Sequence, residues 1–403
     1  EKSFGMTSTQ GGLCGSGFIG GFMLMAPLAG LFGHGRRGPV IIGVGLFLWT
    51  ASVMTTCFAP NYPVLLASRI VAGVGEAAYS PLALPMIDDS ASPNQKALFG
   101  GLFFATIFIG SAMGFGVQAP FSTWKHARWI FFVEGVAMVP FGAFAVVCRN
   151  RFNKGAAEIA EHTLLAAADG VSTVDEPAPP SARRQVAMLF SSPVYVSLML
   201  GYCATIFTIG GLAFWAPSIM TSVLGVNKTT GGLALAVMTG ASGVFGSLAG
   251  GVSLDVFKIC LGGERRLLRS ILVALVCSVT ALPALIGMAL LDQPVLWFSS
   301  AGISQFFMFM ASYPANLGMM EAVPPQARGL SLGVATLLSH ALGDLIPPVL
   351  IGMLVDRTHT LRPGMLILAL WGIWPILLWS VAFCIARSRR SDHSCTGSLE
   401  FAQ

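Results

Sequence analysis

The fold is decided by residues 63–87, which read PVLLASRIVAGVGEAAYSPLALPMI. A helix that crosses the hydrocarbon core of a bilayer needs about 20 mainly apolar residues. This stretch is longer than that, and Arg69 and Glu76 are its only charged residues. It therefore predicts a transmembrane helix that carries two ionisable groups into the membrane.

Further apolar runs precede and follow this one along the chain. Pro, Asn, Asp, Lys and Arg, which stop or cap helices, interrupt the sequence between the runs. We predict eleven spans, at about 10–32, 39–58, 63–87, 97–119, 127–148, 193–217, 229–253, 268–291, 295–321, 329–354 and 363–386. Five tryptophans near the span ends predict anchors at the membrane interface: Trp49, Trp124, Trp129, Trp297 and Trp379.

The composition excludes several classes of protein. Of the 403 residues, 54% are hydrophobic and 10% are charged, whereas soluble domains carry about 25% charged residues. The net charge of +5 is scattered over short connections without a basic face, so we expect no nucleic-acid binding. The sequence has no GxSxG, P-loop, HExxH or credible Rossmann fingerprint. It therefore predicts an all-α membrane protein that is not an enzyme and has no cofactor or metal site.

The distribution of basic residues predicts the orientation and the domains. Most of the 23 lysines and arginines fall in one set of connections and in the C-terminal tail, which are therefore predicted to be cytoplasmic. The polar stretch at 149–190 predicts a flexible linker. The predicted parts are an N-terminal bundle at 1–148, a cytoplasmic linker at 149–190, a C-terminal bundle at 191–388 and a cytoplasmic tail at 389–403.

The number of spans predicts that one helix is missing. Five predicted spans precede the linker and six follow it, and residues 1–9 hold no recognisable translocation signal. We therefore expect helices 2–6 and 7–12 of a protein with twelve helices. Two bundles of six helices form the architecture of transporters with parallel internal repeats.

The charged pair in the third run indicates a functional site. Arg69 and Glu76 are seven residues apart, so both project from one helix face, about 10 Å apart by helical rise. Each must therefore find partners on other helices or in a water-filled cavity. Glu76 is a candidate proton carrier, while Arg69 can hold an anion or order an acid, and Tyr79 is a further candidate for substrate binding. The alternative is that both charges belong to a static buried network. Glu134 can either line a cavity or pair with Arg128.

A second candidate site lies in residues 338–348, which read LSHALGDLIPP. His340 and Asp344 are spaced i, i+4, close enough to interact on one helix face, and a carboxylate favours the charged imidazolium. The two prolines that follow are predicted to kink or unwind the helix. The pattern predicts a gated, proton-coupled site with Ser339 as a candidate substrate ligand. The alternative is an ordinary core histidine.

Two loops carry glycine followed by charged residues, GLFGHGRRG at 30–38 and GVSLD at 251–255. Both resemble the loop signature of the major facilitator superfamily, Gly-x-x-x-Asp followed by basic residues. Such a loop can latch two bundles on the cytoplasmic side, through Gly30, His34, Arg36, Arg37 and Asp255. His34 stands where that family usually has Asp, which predicts a weakened latch or a pH-sensitive one. Ordinary positively charged loops explain the arginines equally well.

Three stretches, at 69–80, 211–217 and 339–344, resemble the spinster family of the major facilitator superfamily. The resemblance implies a major facilitator fold and a proton-linked exporter of lysophospholipids or sphingosine-type lipids. It also implies a late endosomal, lysosomal or plasma membrane location. By that resemblance Glu76 and His340 carry coupling or gating, with Arg69 and Asp344 in support.

We therefore expect a monomeric secondary active transporter that moves a lysophospholipid or sphingosine-type lipid by alternating access and is linked to protons. Its expected partners are a small amphipathic or lipid substrate, protons and the bilayer. One alternative is a facilitator of another small organic solute or drug. Another, of a different class, is a non-transporting membrane sensor or a truncated inactive product.

Overall fold

The described residues of the computed structural model form helices. It describes residues 8–33, 37–92, 94–118, 124–147, 181–261 and 266–400. Within these ranges, helix is the only regular secondary structure.

Fifteen α-helices follow one another in the described residues. The first six are α1 (Ser8–Phe32), α2 (Gly38–Cys57), α3 (Tyr62–Glu76), α4 (Ser80–Ser90), α5 (Lys96–Gln118) and α6 (Trp124–Val147). The next five are α7 (Ala182–Phe190), α8 (Pro193–Ser222), α9 (Lys228–Leu261), α10 (Arg266–Leu290) and α11 (Pro294–Glu321). A 3-10 turn (Pro325–Ala327) leads into α12 (Arg328–Leu338), the π-helical segment (Ser339–Asp344), α13 (Ile346–Thr358), α14 (Arg362–Trp371) and α15 (Ile373–Glu400).

Nine stretches of the described residues are long and apolar enough to cross a membrane. They are Gly38–Cys57, Tyr62–Ser90, Arg128–Val147, Pro193–Ser222, Thr229–Lys258, Arg266–Leu290, Pro294–Glu321, Pro325–Thr358 and Arg362–Ser388. The predicted runs at 10–32 and 97–119 coincide with two shorter apolar helices, Ser16–Phe32 and Lys96–Gly110. The expectation of eleven spans is therefore not confirmed.

Local sequence signals begin the two helices that carry or support the candidate sites. The Asn61 side chain accepts a hydrogen bond from the backbone N–H of Val64 at 3.2 Å, at the start of α3. Ser192 accepts one from the N–H of Tyr195 at 3.4 Å, at the start of α8. Both caps satisfy an amide that the helix itself cannot pair, and a proline follows each in the first turn.

Residues 63–87, predicted as a single transmembrane helix, belong to two helices, α3 and α4. A turn at residues 77–79 separates α3 from α4, directly after Glu76. Pro81 lacks an N–H group, so the carbonyl of Ala77 has no helical donor four residues later. The break therefore follows from the sequence, and it leaves Glu76 at a helix end.

The second interruption is the π-helical segment, where the backbone N–H of Leu345 bonds to the carbonyl of His340 at 3.2 Å, five residues earlier. Pro347 and Pro348 remove the donors that would continue the ordinary ladder over Gly343 and Asp344. Single turns of this kind occur frequently at functional sites.

The helices pack into two compact units. Unit 1 comprises Glu1–Ser92, Gly114–Met188 and Pro324–Leu337, and unit 2 comprises Pro93–Met113, Leu189–Val323 and Leu338–Gln403. In unit 1, α3 packs against α1 and α2. In unit 2, α8 packs against α15 and the π-helical segment, and α11 packs against α9 and α10. Each unit includes a segment from the other half of the chain, and the predicted bundle boundaries stay a prediction.

The core of unit 2 contains two of the five tryptophans that were expected at the membrane interface. Trp297 and Trp379 are both 0% exposed, so the expectation was wrong for these two. The indole N–H of Trp379 donates to the carbonyl of Leu198 at 3.1 Å, and the ring lies against Gly201, where a Cβ would overlap it. A buried partner for the indole makes interior packing favourable.

Candidate functional site

The centre of the candidate site in unit 2 is the pair formed by His340 and Asp344. The Nδ1 atom of His340 lies 2.5 Å from Oδ2 of Asp344, and the two side chains are 30% and 29% exposed. Ser339 precedes the pair and is buried. The π-helical segment thus presents an ionisable couple in partial shelter from solvent.

Two polar residues that the sequence reasoning missed lie near this pair. The Tyr202 side chain of α8 interacts with that of Asn316 of α11 and, electrostatically, with Asp344. Asn316 also donates from Nδ2 to the carbonyl of Ser312 at 2.9 Å. The sequence did contain a signal for Asn316, since its side-chain amide lies inside the predicted span 295–321. Polar groups buried in a membrane require partners, so such a residue indicates a polar contact.

Two glycines allow the π-helical segment to lie directly on α8. A Cβ on Gly210 would sit 2.5 Å from Oδ1 of Asp344. A Cβ on Gly343 would sit 2.6 Å from Cγ2 of Ile206. Any larger residue would separate the two elements, and one at position 210 would also displace the Asp344 carboxylate.

In unit 1, Arg69 of α3 interacts with side chains of two other helices, α1 and α6. The sequence predicted such partners, because a charged residue inside an apolar span requires them. Its guanidinium carbon lies 5.1 Å from the ring centroid of Phe18 on α1, within the range of a cation–π contact. It also interacts electrostatically with Glu134 of α6. The guanidinium therefore interacts with an aromatic ring of α1 and with a carboxylate of α6.

Glu76 and Tyr79 lie on either side of the break between α3 and α4. Both side chains are half-buried and they interact electrostatically with each other. The backbone N–H of Tyr79 donates to the carbonyl of Glu76 at 3.2 Å. The carboxylate thus sits at a point where the helix is already interrupted.

The expected latch residues separate into different environments. Gly30 of α1 meets the backbone of Gly329 on α12, where a side chain on Gly30 would overlap it. Arg37 is exposed at the start of α2. His34 and Arg36 lie outside the described residues.

An acid–base cluster in unit 1 was missed by the sequence reasoning. The Nη1 atom of Arg328 lies 3.7 Å from Oδ1 of Asp89 and 4.0 Å from Oδ2 of Asp88. Arg328 begins α12, and the two aspartates end α4. The cluster therefore holds a helix from the second half of the chain beside one from the first half.

Asp255 lies in unit 2 and lines a cavity of about 320 Å³. Among the described residues that line it, the other charged side chains are basic: Lys96, Lys258, Arg266 and Arg269. Asp255 interacts electrostatically with Arg269. The acid of the second loop motif is therefore surrounded by cations on α5, α9 and α10.

Comparison with protein families identifies the chain. Residues 1–348 match the family model described as Major Facilitator Superfamily. The chain belongs to the major facilitator superfamily. The fold agrees, since the fucose:proton symporter of E. coli superposes with a TM-score of 0.67 at 14% identity, over 93% of this chain and 91% of that one.

Within the major facilitator superfamily, the chain is spinster-like. It is 28% identical to the probable sphingolipid transporter spinster homolog 1 of Arabidopsis thaliana, covering 97% of this chain and 81% of the relative. It is 25% identical to the sphingosine-1-phosphate transporter SPNS2 of Mus musculus, covering 88% of this chain and 65% of the relative. The expectations of a spinster-like facilitator and of a transporter rather than an enzyme are thus confirmed. This facilitator is an integral multi-pass membrane protein.

Proposed function

We propose that this spinster-like facilitator transports a lysophospholipid or sphingosine-type lipid by alternating access, as a monomer, coupled to protons. A lysosomal, endosomal or plasma membrane is the proposed location. The relatives support the substrate class, since one is described as a probable sphingolipid transporter and another as a sphingosine-1-phosphate transporter. The observation that carries the proton coupling is the half-buried contact between His340 and Asp344.

Protonation would change the charge of this contact at a place where charge is costly. An imidazolium beside a carboxylate is neutral overall, whereas a neutral imidazole leaves one net negative charge. A charged residue at the centre of a membrane helix costs about 2.5–3.5 kcal/mol on insertion scales. Asp344 is the last residue of the π-helical segment. A change in the charge of His340 would therefore change the contact that Asp344 makes at the point where the helix is interrupted.

In unit 1, Glu76 combines an ionisable side chain with an interrupted helix, as His340 and Asp344 do in unit 2. Its carboxylate ends α3 and lies just before the turn that Pro81 imposes. Loading and unloading a proton there would change the charge next to a bendable joint. We assign proton coupling or gating to Glu76, His340 and Asp344.

An amphipathic substrate is compatible with the surroundings of Arg69. An apolar groove of about 390 Å³ runs between α1 and α3, lined by Gly17, Gly20, Gly21, Leu24, Met25, Leu28, Ile70 and Val74. The Arg69 guanidinium reaches towards Phe18 on α1, the same helix that forms one wall. We assign the anionic headgroup to Arg69 and the hydrocarbon chain to this groove. Tyr79 and Ser339 are the further proposed substrate ligands.

The test is transport of labelled sphingosine 1-phosphate and lysophosphatidylcholine in proteoliposomes, with and without a pH gradient. We expect Glu76→Gln and His340→Gln to lower gradient-driven transport about tenfold or more, which corresponds to ~1.4 kcal/mol. Two matched controls should retain it. Asp292→Asn changes an exposed acid, and His359→Gln changes an exposed histidine.

If wild-type transport does not depend on the pH gradient, and if Glu76→Gln transports at the wild-type rate, the proposed proton role is refuted. A substrate panel in which both lipids are inactive while an organic anion is carried would remove the lipid assignment. The two results are independent of each other, so either part of the proposal can fail alone.

A further inference from the structure

Three glycines of α1 line the apolar groove of unit 1, and they differ in what surrounds them. A Cβ on Gly17 would lie 3.0 Å from Cγ1 of Ile70, and one on Gly21 would lie 2.3 Å from the carbonyl oxygen of Ile70. These two glycines therefore let α1 pack closely against α3. Gly20 is half-buried, yet a Cβ there would meet none of the described residues within 4 Å. Helix packing in the described residues therefore does not require a glycine at position 20.

The absence of a side chain at Gly20 leaves space along α1 unfilled. A glycine inside a helix is less favourable than an alanine, because it loses more backbone freedom on folding. At Gly17 and Gly21 the close contact with α3 offsets that cost. At Gly20 the effect visible in the described residues is an open groove.

The dimensions of the groove match one hydrocarbon chain. Its described lining on α1 extends from Gly17 to Leu28, which is ~16 Å at a rise of about 1.5 Å per residue. That is about half of the ~30 Å hydrocarbon core, the depth of one leaflet. A methylene group takes up about as much room as a water molecule, so the volume of about 390 Å³ holds about thirteen of them at ~30 Å³ each.

A basic group lies at one end of the groove. Gly17 and Ile70 are the first described lining residues of the two helices, and Phe18 and Arg69 adjoin them in the chain. The Arg69 guanidinium carbon lies 5.1 Å from the ring centroid of Phe18. Arg69 also interacts electrostatically with Glu134, so a phosphate would add to its contacts. A cation at the end of an apolar groove complements a lipid with an anionic headgroup.

We propose that Gly20 keeps this groove open for one hydrocarbon chain of the transported lipid and thereby determines which chains the protein accepts. The identity of the occupant rests on the proposed function, in which Arg69 holds the headgroup. Gly20 lies ~4.5 Å along α1 from Gly17, so a side chain there would block the chain beyond its first few carbons. Leu24 and Leu28, which are 74% and 46% exposed, would contact the rest of the chain.

The groove discriminates between chains by packing. Lipid tails are as apolar as its leucines, so the hydrophobic effect does not drive a chain from the bilayer into the groove. A chain that fills the groove gains close contacts, whereas a blocked chain returns to the bilayer. Gly20→Leu should therefore act on long chains and spare the headgroup contact.

The first experiment measures binding of butyl, octyl, dodecyl and hexadecyl phosphate to the full chain in phosphatidylcholine nanodiscs. Binding is read as an increase in apparent melting temperature with ligand concentration, so it does not depend on transport. The groove variants are Gly20→Leu and the smaller Gly20→Ala. The control is Gly110→Leu on α5, because Gly110 is exposed, lies outside the described lining and has no described residue within 4 Å of its Cβ.

We expect wild-type binding to strengthen with chain length and to level off near dodecyl phosphate. Gly20→Leu should weaken dodecyl phosphate binding about tenfold, the lower end of what one methylene group is worth in an apolar pocket, and should leave butyl phosphate binding unchanged. Gly20→Ala should show a smaller loss, and Gly110→Leu should bind as wild type does. The same dependence on chain length in wild type and in both Gly20 variants overturns the proposal.

The second experiment locates the chain with a sphingosine 1-phosphate analogue that carries a diazirine in its tail. Adducts should map to residues 17–28 or 70–74, and excess sphingosine 1-phosphate should suppress them. Equal suppression by added phosphatidylcholine overturns the proposal, because the groove then holds only bilayer lipid. So does a wild-type dimer that dissociates in Gly20→Leu, because a second copy then fills the groove. Binding that depends on chain length without lipid transport would refute the proposed function but support the groove as a chain site, whereas lipid transport with unchanged chain dependence would refute the groove site alone.

Discussion

Arg328→Gln should loosen α12 from α4, and two neighbouring aspartates allow the effect to be measured against a matched control. The Asp88 side chain is 4% exposed and the Asp89 side chain is 71% exposed, while Arg328 itself is 21% exposed. The two carboxylates have the same chemistry and adjoin each other in the chain. Burial is therefore what distinguishes their contributions.

The magnitude follows from distance and burial. Unit charges 4.0 Å apart attract with about 4 kcal/mol at an effective dielectric constant of 20. Desolvation offsets part of that attraction, yet removing one partner of a buried pair still costs about 3–5 kcal/mol. Because water reaches Arg328, we expect ~2 kcal/mol for Arg328→Gln, which is about thirtyfold in an opening equilibrium. The exposed pair with Asp89 is expected to contribute ~0–1 kcal/mol.

Hydrogen–deuterium exchange in nanodiscs measures this opening locally. Amides of α12 and α4 should exchange about thirtyfold faster in Arg328→Gln, while those of α10 should be unchanged. Asp88→Asn should have a larger effect than Asp89→Asn, which should stay within about fivefold of wild type. Unchanged exchange in Arg328→Gln, or equal effects of the two aspartate variants, would refute the argument from burial.

Three substitutions test packing contacts. Gly210→Ala brings a Cβ within 2.5 Å of Oδ1 of Asp344, so gradient-driven lipid transport should fall while the protein stays monodisperse. A wild-type transport rate would show that the position of this carboxylate is unimportant. Trp379→Phe removes a buried donor to the Leu198 carbonyl and should lower the apparent melting temperature, at a cost of ~1–3 kcal/mol. Its control is Trp374→Phe, at a 50% exposed site, which should leave the melting temperature unchanged. Gly73→Ala places a Cβ against the backbone of Phe18 and should cost ~1–3 kcal/mol by overpacking. Gly20→Ala, with nothing within 4 Å of its Cβ, should be neutral in the same melting assay.

Features set by short stretches of chain were predictable from the sequence. Hydropathy located most of the spans, and the i, i+4 spacing brought together His340 and Asp344, which lie 2.5 Å apart. The break after Glu76 was not predicted, although Pro81 contains its cause. A helical pattern over 63–87 continues across that position, and hydropathy does not register a missing donor.

Contacts between distant parts of the chain were beyond the sequence reasoning. Nothing near Asp88 indicates that its partner is Arg328, because the pairing depends on how α4 and α12 pack. The interface prediction was wrong for Trp297 and Trp379 for a related reason. A position near a span end suggests the interface, but Gly201 opens a slot on α8 that accepts the ring of Trp379 and buries it.

The acid–base contacts bear on the expected weakness of the cytoplasmic latch. His34 stands where the superfamily usually has an aspartate and lies outside the described residues, while one acid–base contact of unit 1 lies at the end of α4, between Asp88 and Arg328. Gly30 still supports it, since its lack of a side chain lets α12 lie against α1. If the proposed cycle opens this contact, the opening costs ~2 kcal/mol by the argument from burial given for Arg328. Substrate and protons must then bind the opened state more favourably than the closed one by at least this free energy if they are to make the opened state the major one. Arg328→Gln should therefore raise the transport rate if opening limits it, and leave the rate unchanged if another step does.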